Sequence, residues 1–308
     1  MNKKIKIIVY FILVVLLAGV FYIILNNIQK PSVQSSKIQV VASFYPLYFF
    51  SQQIGGDKIN VINITPAGAE PHDYEPTAQD VVQIENSKML ILNGGGLEPW
   101  GDNIKKNLSS KDIVIVTAGE GLTNKQFAEE GEAITDPHTW LSPPLAKEIV
   151  DKITQGFIQI DPVNKEYYQT NTDALKSKLD DLDKEFRQGL SNCKDKNIIT
   201  SHSAFGYLAT AYGLNQVAIT GLSPDAEPSP QQLADVVKFA KDNNVKYIFF
   251  ESLVSPKLSD TIATEVGAKT LVLNTIEGLT NEQISQGKNY FTEMQNNLAN
   301  LKTALQCR

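Results

Sequence analysis

The sequence predicts an α/β protein with two (β/α) lobes, each containing a parallel sheet, joined by a long rigid backbone helix. Apolar runs with strand character alternate with amphipathic helical segments, which is the pattern of βαβ units and parallel sheets. The alternation occurs in both halves of the chain, and one long helical pattern separates them. The length of 308 residues and the 42% hydrophobic content also favour a folded protein of two domains.

The predicted elements of the first half follow in the order strand, helix, strand, helix, strand. Their sequences are IQVVASF, YPLYFFSQQIGG, KINVINIT, AQDVVQIENS and KMLILNG. The second half repeats this order with KNIIT, SAFGYLATAYGL, NQVAIT, QQLADVVKFAKDNN and VKYIFF. Ala-Glu-Pro precedes the second helix of each half, at residues 69–71 and 226–228. The repeat therefore predicts two related lobes that face one another.

The segment from Asp161 to Cys193 has the pattern of one continuous helix. Apolar side chains recur there at helical spacing, with charged residues between them: Tyr168, Leu175, Leu179, Leu182 and Phe186. Roughly 28 helical residues would extend about 40 Å, enough to span both lobes as a stiff strut.

The expected organisation is a signal or membrane anchor with a polar tether at 1–37, an N-terminal lobe at 38–160, a linking helix at 161–192 and a C-terminal lobe at 193–308.

The N-terminus predicts export. Three lysines, Lys3, Lys4 and Lys6, precede nineteen uncharged residues, Ile7–Leu25. That run is long enough to cross a bilayer as a helix, and the lysines direct the rest of the chain outward. A cleaved signal peptide is the alternative, but the run is longer than a usual signal core and no convincing cleavage site follows it. We expect an extracytoplasmic protein, at the cell surface or in the periplasm, with a retained anchor favoured.

Charge and cysteine usage narrow the class of protein. The net charge of −6 argues against a nucleic-acid partner, which would require clustered lysine and arginine. Cys193 and Cys307 are the two cysteines, and an even count in an exported protein permits one disulfide. Neither lies near the apolar N-terminal run, so a lipid-modified cysteine is not expected there. Such a disulfide would join the C-terminus to the start of the second half.

The three histidines of the chain occupy comparable places. His72 follows a predicted strand, His202 follows another directly, and His138 precedes a helix whose start is marked by Ser142 and two prolines. Ligands gather at the carboxyl ends of parallel strands in open α/β sheets. Three imidazoles that converge in a cleft suit a divalent transition metal, above all Zn²⁺. Isolated surface histidines are the alternative, and spacing alone does not decide between them.

The sequences around these histidines, GAEPHDYEP, DPHTWLSP and SHSAFGYLA, resemble the metal-binding extracytoplasmic proteins of zinc and manganese ABC importers, the ZnuA/TroA-like family. The resemblance extends from about Ile38 to the C-terminus and includes DAEPSPQQLA, FFESLVSPKLSDTIATEVGAK and LVLNTIEGLT. It implies a metal site in the cleft between the lobes, with His72, His138 and His202 as ligands.

The resemblance leaves the fourth ligand open. Manganese-type members have an aspartate where Asn274 stands, and an amide is a poor replacement for a carboxylate. Glu277 matches a glutamate of some zinc-type members, so we predict it as the fourth ligand, with water or Glu70 as the alternatives. Asp73 and Glu251 are candidates for orienting the imidazoles without touching the metal.

The segment Gly119–Asp136 stands where many zinc-type members carry a histidine-rich loop, and here it holds no histidine. We expect a solvated loop, in which Glu129, Glu130 and Glu132 could attract cations.

The predicted function is capture of Zn²⁺, as transported ligand, for delivery to the permease of a zinc ABC importer. Three imidazoles and one carboxylate favour Zn²⁺ over Mn²⁺, because Mn²⁺ prefers more oxygen ligands. The alternatives are a Mn²⁺-binding protein, a surface adhesin of the same fold or, less favoured, a zinc hydrolase. An enzyme is not expected, because the sequence has no H-E-x-x-H helix and no serine elbow motif. A monomer is expected.

Overall fold

Two four-stranded parallel sheets organise residues 37–308. The computed structural model describes residues 37–123, 125–129 and 132–308, together with Lys3 and Leu17. The predicted anchor at residues 7–25 therefore lies outside the described residues, apart from Leu17. Within the part that is described, no helix has both the length and the apolar character that a membrane crossing requires.

The first sheet has the strand order β2-β1-β3-β4. Its strands are β1 (Ile38–Ala42), β2 (Ile59–Asn63), β3 (Met89–Leu92) and β4 (Val114–Thr117). Val40 in β1 pairs in parallel with Val61 on one side and Met89 on the other. All four residues of β3 are buried, as expected for an inner strand of a parallel sheet that is covered on both faces.

The second sheet has the strand order β10-β9-β7-β8. Its strands are β7 (Asn197–Thr200), β8 (Asn215–Ala218), β9 (Tyr247–Phe250) and β10 (Lys269–Val272). Numbered within each half, both sheets have the order 2-1-3-4, so the second sheet has the topology of the first. The predicted α/β class and the predicted repeat are both confirmed.

Helices cover the sheets and connect the strands. They are α1 (Tyr45–Gly55), α2 (Ala78–Glu85), α3 (Gly101–Leu108), α4 (Pro143–Ile160), α5 (Lys165–Leu190), α6 (Gly206–Tyr212), α7 (Pro230–Asp242), α8 (Lys257–Val266), α9 (Asn281–Ser285) and α10 (Tyr290–Ala304). The Thr77 and Ser229 side chains cap α2 and α7 with reciprocal hydrogen bonds, so the repeated Ala-Glu-Pro segments lead into equivalent helix starts.

The long helix is confirmed as α5, which has 26 residues and follows a 3-10 turn at Pro162–Asn164. Its predicted apolar stripe is buried and packs against α4, α1 and α10. Phe50 of α1 and Tyr290 of α10 also meet edge to face, with ring centroids 4.8 Å apart. One continuous hydrophobic core therefore joins elements from both halves. The proposed lobe boundaries at residues 160 and 193 stay a prediction.

The segment predicted as a solvated loop contains an antiparallel hairpin instead. Its strands are β5 (Gln126–Glu129) and β6 (Glu132–Thr135), with Gln126 opposite Thr135. Short segments on either side of a turn can pair locally without a large hydrophobic face, so their composition predicts them poorly. Glu130 lies outside the described residues.

The predicted disulfide between Cys193 and Cys307 is present. It joins the segment after α5 to the C-terminus and closes a loop with a sequence separation of 114 residues. Arg308 N also donates to Asn192 O at 3.1 Å, so main-chain contacts accompany the covalent link.

Candidate metal centre

Loops that follow strands of both sheets, and the segment before α4, bring the three histidines together with Glu277. His72 lies in the loop between β2 and α2, and His138 lies in the segment that precedes α4. His202 follows β7, and Glu277 follows β10. One ligand atom from each residue lies within 4.8 Å of those of the other three. Each half of the chain thus contributes two side chains to one cluster.

The distances within this cluster are those of a ligand set around one ion. His138 Nε2 lies 3.2 Å from His72 Nε2 and 3.3 Å from His202 Nε2. Glu277 Oε1 lies 3.2 Å from His138 Nε2, 3.6 Å from His72 Nε2 and 3.8 Å from His202 Nε2. A tetrahedral zinc ion with bonds of about 2.0–2.1 Å separates its ligand atoms by roughly 3.3 Å. These five distances are therefore close to those between the ligand atoms of a tetrahedral zinc ion.

His138 is oriented by a carboxylate from its own segment. Its backbone N–H donates to Asp136 Oδ1 at 3.0 Å, and its Nδ1 lies 2.8 Å from the same oxygen. A carboxylate accepts, so Nδ1 carries a proton and donates it to Asp136, and Nε2 is the nitrogen that faces the cluster. Burial opposes the charged form, but Asp136 and Glu277 together raise the pKa of His138 to about 9.

His202 has an equivalent partner in the second sheet. Its Nδ1 lies 2.7 Å from Glu251 Oε1, which also accepts from the Ser201 hydroxyl. Glu251 directly follows β9, and β9 is the neighbour of β7, so the two side chains emerge at the same sheet edge. The His202 carbonyl accepts from Thr200 Oγ1 and Gln216 Nε2, which holds its backbone as well.

His72 has a different environment. Its side chain is 9% exposed, whereas the other two imidazoles and Glu277 are fully buried. Burial lowers the pKa of His72, because the charged imidazolium would lose its hydration. Its backbone N–H donates to Glu70 Oε1 at 3.3 Å. Tyr74 and Thr77 nearby both donate to Asp80 Oδ2, and these bonds attach the loop to the start of α2.

Glu277 is a buried carboxylate that faces all three imidazoles. Its Oε2 accepts from Thr275 Oγ1 at 2.8 Å, while Oε1 is buried without a well-formed hydrogen bond in the described part of the chain. Burial acts to raise the pKa of Glu277, but the neighbouring His138 and His72 imidazoles hold it well below its usual range. The orphaned oxygen is the one that points at the histidines.

The other sequence-predicted residues take different places. Glu70 lies beside the cluster but outside it, and its Oε2 is buried without a partner among the residues that the structure describes. Burial and the nearby Glu277 carboxylate raise the pKa of Glu70 to about 10. Asp73 is exposed, and its carboxyl group faces Asp225 of the other half rather than an imidazole. Asn274 is buried and turned toward α10.

Comparisons with known proteins identify the family of this chain. A family model described as "Zinc-uptake complex component A periplasmic", ZnuA, matches residues 40–304. This chain belongs to the ZnuA family. The resemblance predicted from the histidine motifs is thereby confirmed.

Individual members of the ZnuA family are similar along most of the chain. The "High-affinity zinc uptake system protein ZnuA" of Bacillus subtilis is 42% identical over 293 residues, covering 91% of this chain and 92% of that protein. The "Zinc-binding lipoprotein AdcA" of Streptococcus pneumoniae is 39% identical over 297 residues, covering 93% of this chain. This chain spans only 59% of that AdcA.

Solved structures of related proteins have the same fold. The Zn(II)-bound crystal structure of S. pneumoniae AdcA has a TM-score of 0.76 at 40% identity, over 88% of this chain and 58% of that one. The laminin-binding protein Lmb of Streptococcus agalactiae has a TM-score of 0.77 at 33% identity, over 87% of this chain and 99% of that one. Its description is of a bifunctional protein with adhesin and metal-transporting activity.

Two side chains that contact the cluster in this ZnuA family member were not predicted from the sequence. Asp136 orients His138, and Thr275 orients Glu277. The short spacing in Asp136-Pro137-His138 was a usable signal, because an aspartate two residues before a histidine can reach both its backbone N–H and its ring. Thr275 gave no comparable signal, since its role depends on how the turn after β10 folds.

We expect Glu251→Gln to weaken zinc binding by roughly tenfold, the lower end of what loss of a partner that orients a metal ligand costs. The amide keeps the shape of the side chain but loses its negative charge. That charge makes the His202 imidazole a stronger electron-pair donor to the metal. Isothermal or competitive zinc titration measures this change. Glu227→Gln, at an exposed position on a neighbouring loop, is the matched control. Equal affinity of Glu251→Gln and the native chain would show that the backbone contacts of His202 suffice to orient it.

Proposed function

We propose that this protein captures Zn²⁺ outside the cytoplasm and delivers it to the permease of an ABC-type zinc importer. The observation that carries the proposal is the set of three imidazole nitrogens and one carboxylate oxygen, in which His138 Nε2 lies 3.2–3.3 Å from the other two nitrogens and Glu277 Oε1 lies 3.2–3.8 Å from all three. Membership of the ZnuA family and the zinc-uptake description of the B. subtilis relative support it. The ion is cargo, bound and released without chemical change.

In this proposal His72, His138, His202 and Glu277 bind the ion directly. Asp136 and Glu251 fix the tautomers of two imidazoles so that Nε2 faces the ion, as expected for partners of metal-bound histidine. Glu70 lies outside the compact set of four, and the raised pKa of its carboxyl group favours the uncharged form there. The burial of His138, His202 and Glu277 leaves the His72 side as the exposed edge of the cluster.

The donor set favours Zn²⁺ over Mn²⁺. Zinc accepts three imidazoles and one oxygen in a tetrahedral arrangement, whereas Mn²⁺ prefers six ligands that are mostly oxygen. Asn274, which stands where manganese-type members have a carboxylate ligand, uses its side chain in hydrogen bonds to Ile276 and Glu293 instead. The Asn274 side-chain oxygen is therefore engaged in a hydrogen bond and does not serve as a further oxygen ligand.

A role in transport rather than catalysis fits the same geometry. A zinc hydrolase keeps one coordination position for water and a free carboxylate as general base. Here four protein atoms converge on one point, and the nearby Asp136 and Glu251 carboxylates are both bonded to imidazoles. We infer that the bound ion has no position for a substrate.

We further propose that residues 38–160 and 193–308 act as two lobes on a rigid α5 strut. Because α1, α5 and α10 share one hydrophobic core, we expect the lobes to move little relative to each other. Retention of residues 1–37 as an N-terminal membrane anchor and tether, and a monomeric state, belong to the same proposal. The permease would then release the ion by displacing ligands rather than by opening a wide hinge.

An adhesin role is the second candidate. Its support is the description of Lmb, whose fold this chain shares at 33% identity. Binding to immobilised laminin by a variant that has lost zinc would favour it over transport alone.

Elemental analysis of protein purified without added metal tests the main proposal. We expect close to one zinc per chain, no comparable manganese, and a Zn²⁺ affinity far above that for Mn²⁺ in competitive titration. A chain that holds manganese in preference to zinc, or that takes up neither ion, would contradict the proposed cargo.

A further inference from the structure

The turn that carries Glu277 has an unusual backbone conformation. Residues 274–277 follow β10, and all four are buried. Ile276 has a φ of 58°, in the left-handed region that β-branched residues almost never occupy. Such a conformation persists only where the surrounding structure holds it in place. The contacts that hold this turn therefore determine where the Glu277 carboxylate points.

Asn274 is the centre of those contacts. Its backbone N–H donates to Asn297 Oδ1 at 2.7 Å, and its carbonyl accepts from Asn297 Nδ2 at 2.7 Å. Its side-chain Nδ2 donates to Glu293 Oε2 at 2.9 Å, and its Oδ1 accepts from Ile276 N at 2.8 Å. All four polar groups of Asn274 are thus engaged, and the last bond directly restrains the strained residue.

Asn297 and Glu293 both belong to α10, which contacts this turn directly. The two residues are 1% and 3% exposed, so the network lies in the interior, where an unpaired polar group is costly. Glu293 Oε1 is itself held by Asn296 Nδ2 at 3.2 Å and lies 3.6 Å from Lys288 Nζ. The network is therefore fully connected on the side away from the metal site.

The opposite side of the turn contacts the segment of His138. Trp140 Nε1 donates to the Thr275 carbonyl at 2.8 Å, and Tyr290 of α10 donates to the Trp140 carbonyl at 2.6 Å. The Thr275 hydroxyl then donates to Glu277 Oε2. Helix α10 thus secures the turn from one side through Asn297 and from the other through Tyr290 and Trp140.

We infer that Asn297 and Asn274 are positioning residues for the metal site. Without touching the ion, they hold Ile276 in the left-handed conformation and so aim Glu277 Oε1 at the three imidazoles. The inference rests on the proposed function, because it assumes that Glu277 binds Zn²⁺. It assigns to the C-terminal helix a part in metal affinity.

The test is a double-mutant cycle between Asn297→Ala and Glu277→Ala. We expect Asn297→Ala to weaken zinc binding about tenfold or more in the native background, the usual effect of losing a partner that orients a ligand. In the Glu277→Ala background the same change should alter affinity less than twofold, because its target is already absent. The absorption spectrum of the Co²⁺-loaded Asn297→Ala protein should shift toward that of Glu277→Ala.

Asn300→Ala is the matched control. Asn300 also lies on α10 and donates to a main-chain carbonyl of β10, Val272 O at 2.8 Å, but has no bond to residues 274–277. It should leave affinity and the Co²⁺ spectrum unchanged in both backgrounds. Asn297→Ser, whose neutral hydroxyl can still form one hydrogen bond, provides a second variant if Asn297→Ala does not fold, and it should show the same dependence on Glu277.

An equal loss in both backgrounds would mean that Asn297 acts on the fold as a whole, and it would overturn the inference. So would native affinity in Asn297→Ala, or an Asn300→Ala loss of the same size. If the native chain does not bind zinc, or Glu277→Ala does not weaken binding, the proposed ligand set fails instead. The two failures are therefore distinguishable.

Discussion

Replacement of His138 by alanine is expected to weaken zinc binding by roughly a hundredfold. His138 Nε2 is the atom closest to the rest of the cluster, 3.2–3.3 Å from one atom of each other member. Zinc sites of four protein ligands have apparent binding free energies of roughly 10–16 kcal/mol, so one ligand accounts for about 3 kcal/mol, or roughly a hundredfold in Kd. Titration against a chromophoric chelator of known affinity measures the loss.

Two controls separate ligand loss from damage to the fold. Asp73→Asn changes an exposed residue beside His72 and is expected to alter affinity less than twofold. His138→Gln retains a polar side chain opposite Asp136, so it reduces the cost of leaving that buried carboxylate unpaired. Both His138 variants should lose affinity to a similar degree. Undiminished affinity in either of them, with native circular dichroism, would remove His138 from the ligand set.

Addition of zinc is expected to raise the melting temperature by roughly 10 °C. A ligand that binds only the folded state at a thousand times its Kd stabilises by about 4.1 kcal/mol, and each kcal/mol shifts the Tm of a domain of this size by roughly 2–4 °C. The large effect has a structural reason. An ion between the four side chains, three of them fully buried, links both sheets at one point and neutralises the Glu277 carboxylate.

Differential scanning calorimetry or fluorimetry with and without excess zinc tests this stabilisation. A chelator should reverse the shift, and equimolar Mn²⁺ should produce a much smaller one. His138→Ala should lose most of the zinc response, while Asp73→Asn retains it. A native chain whose Tm is independent of zinc would contradict binding between the sheets, whatever the affinity measured by other means.

Much of the architecture could be predicted because it depends on local pattern. The alternation of apolar runs with amphipathic segments places β1, β2, β3, β7, β8 and β9 close to where they lie, and the 3.6-residue stripe of α5 predicts its full length within a few residues. The hairpin at β5 and β6 was not predicted, because strands of four residues are too short to show a clear periodicity.

The candidate site could also be predicted only in part. The position of His202 after β7 predicts its convergence with other strand ends, because parallel strands place their carboxyl ends at one edge. Glu277 was predicted only through resemblance to other family members. Asp136 went unrecognised as the partner of His138, and Asp73, chosen for its proximity in sequence to His72, faces Asp225 instead. Adjacency along a loop does not determine which way a side chain points.

The sequence by itself determined the order of strands and helices, the repeat, the family and the residues capable of binding zinc. Periodicity and residue chemistry are properties of neighbours along the chain, and they can be read without coordinates. Only the tertiary structure decided that His72, His138, His202 and Glu277 meet within one coordination sphere, and that Asn297 on the last helix holds the turn before Glu277. Those distances arise from packing between segments more than 60 residues apart. They depend on many contacts at once, so local sequence patterns cannot predict them.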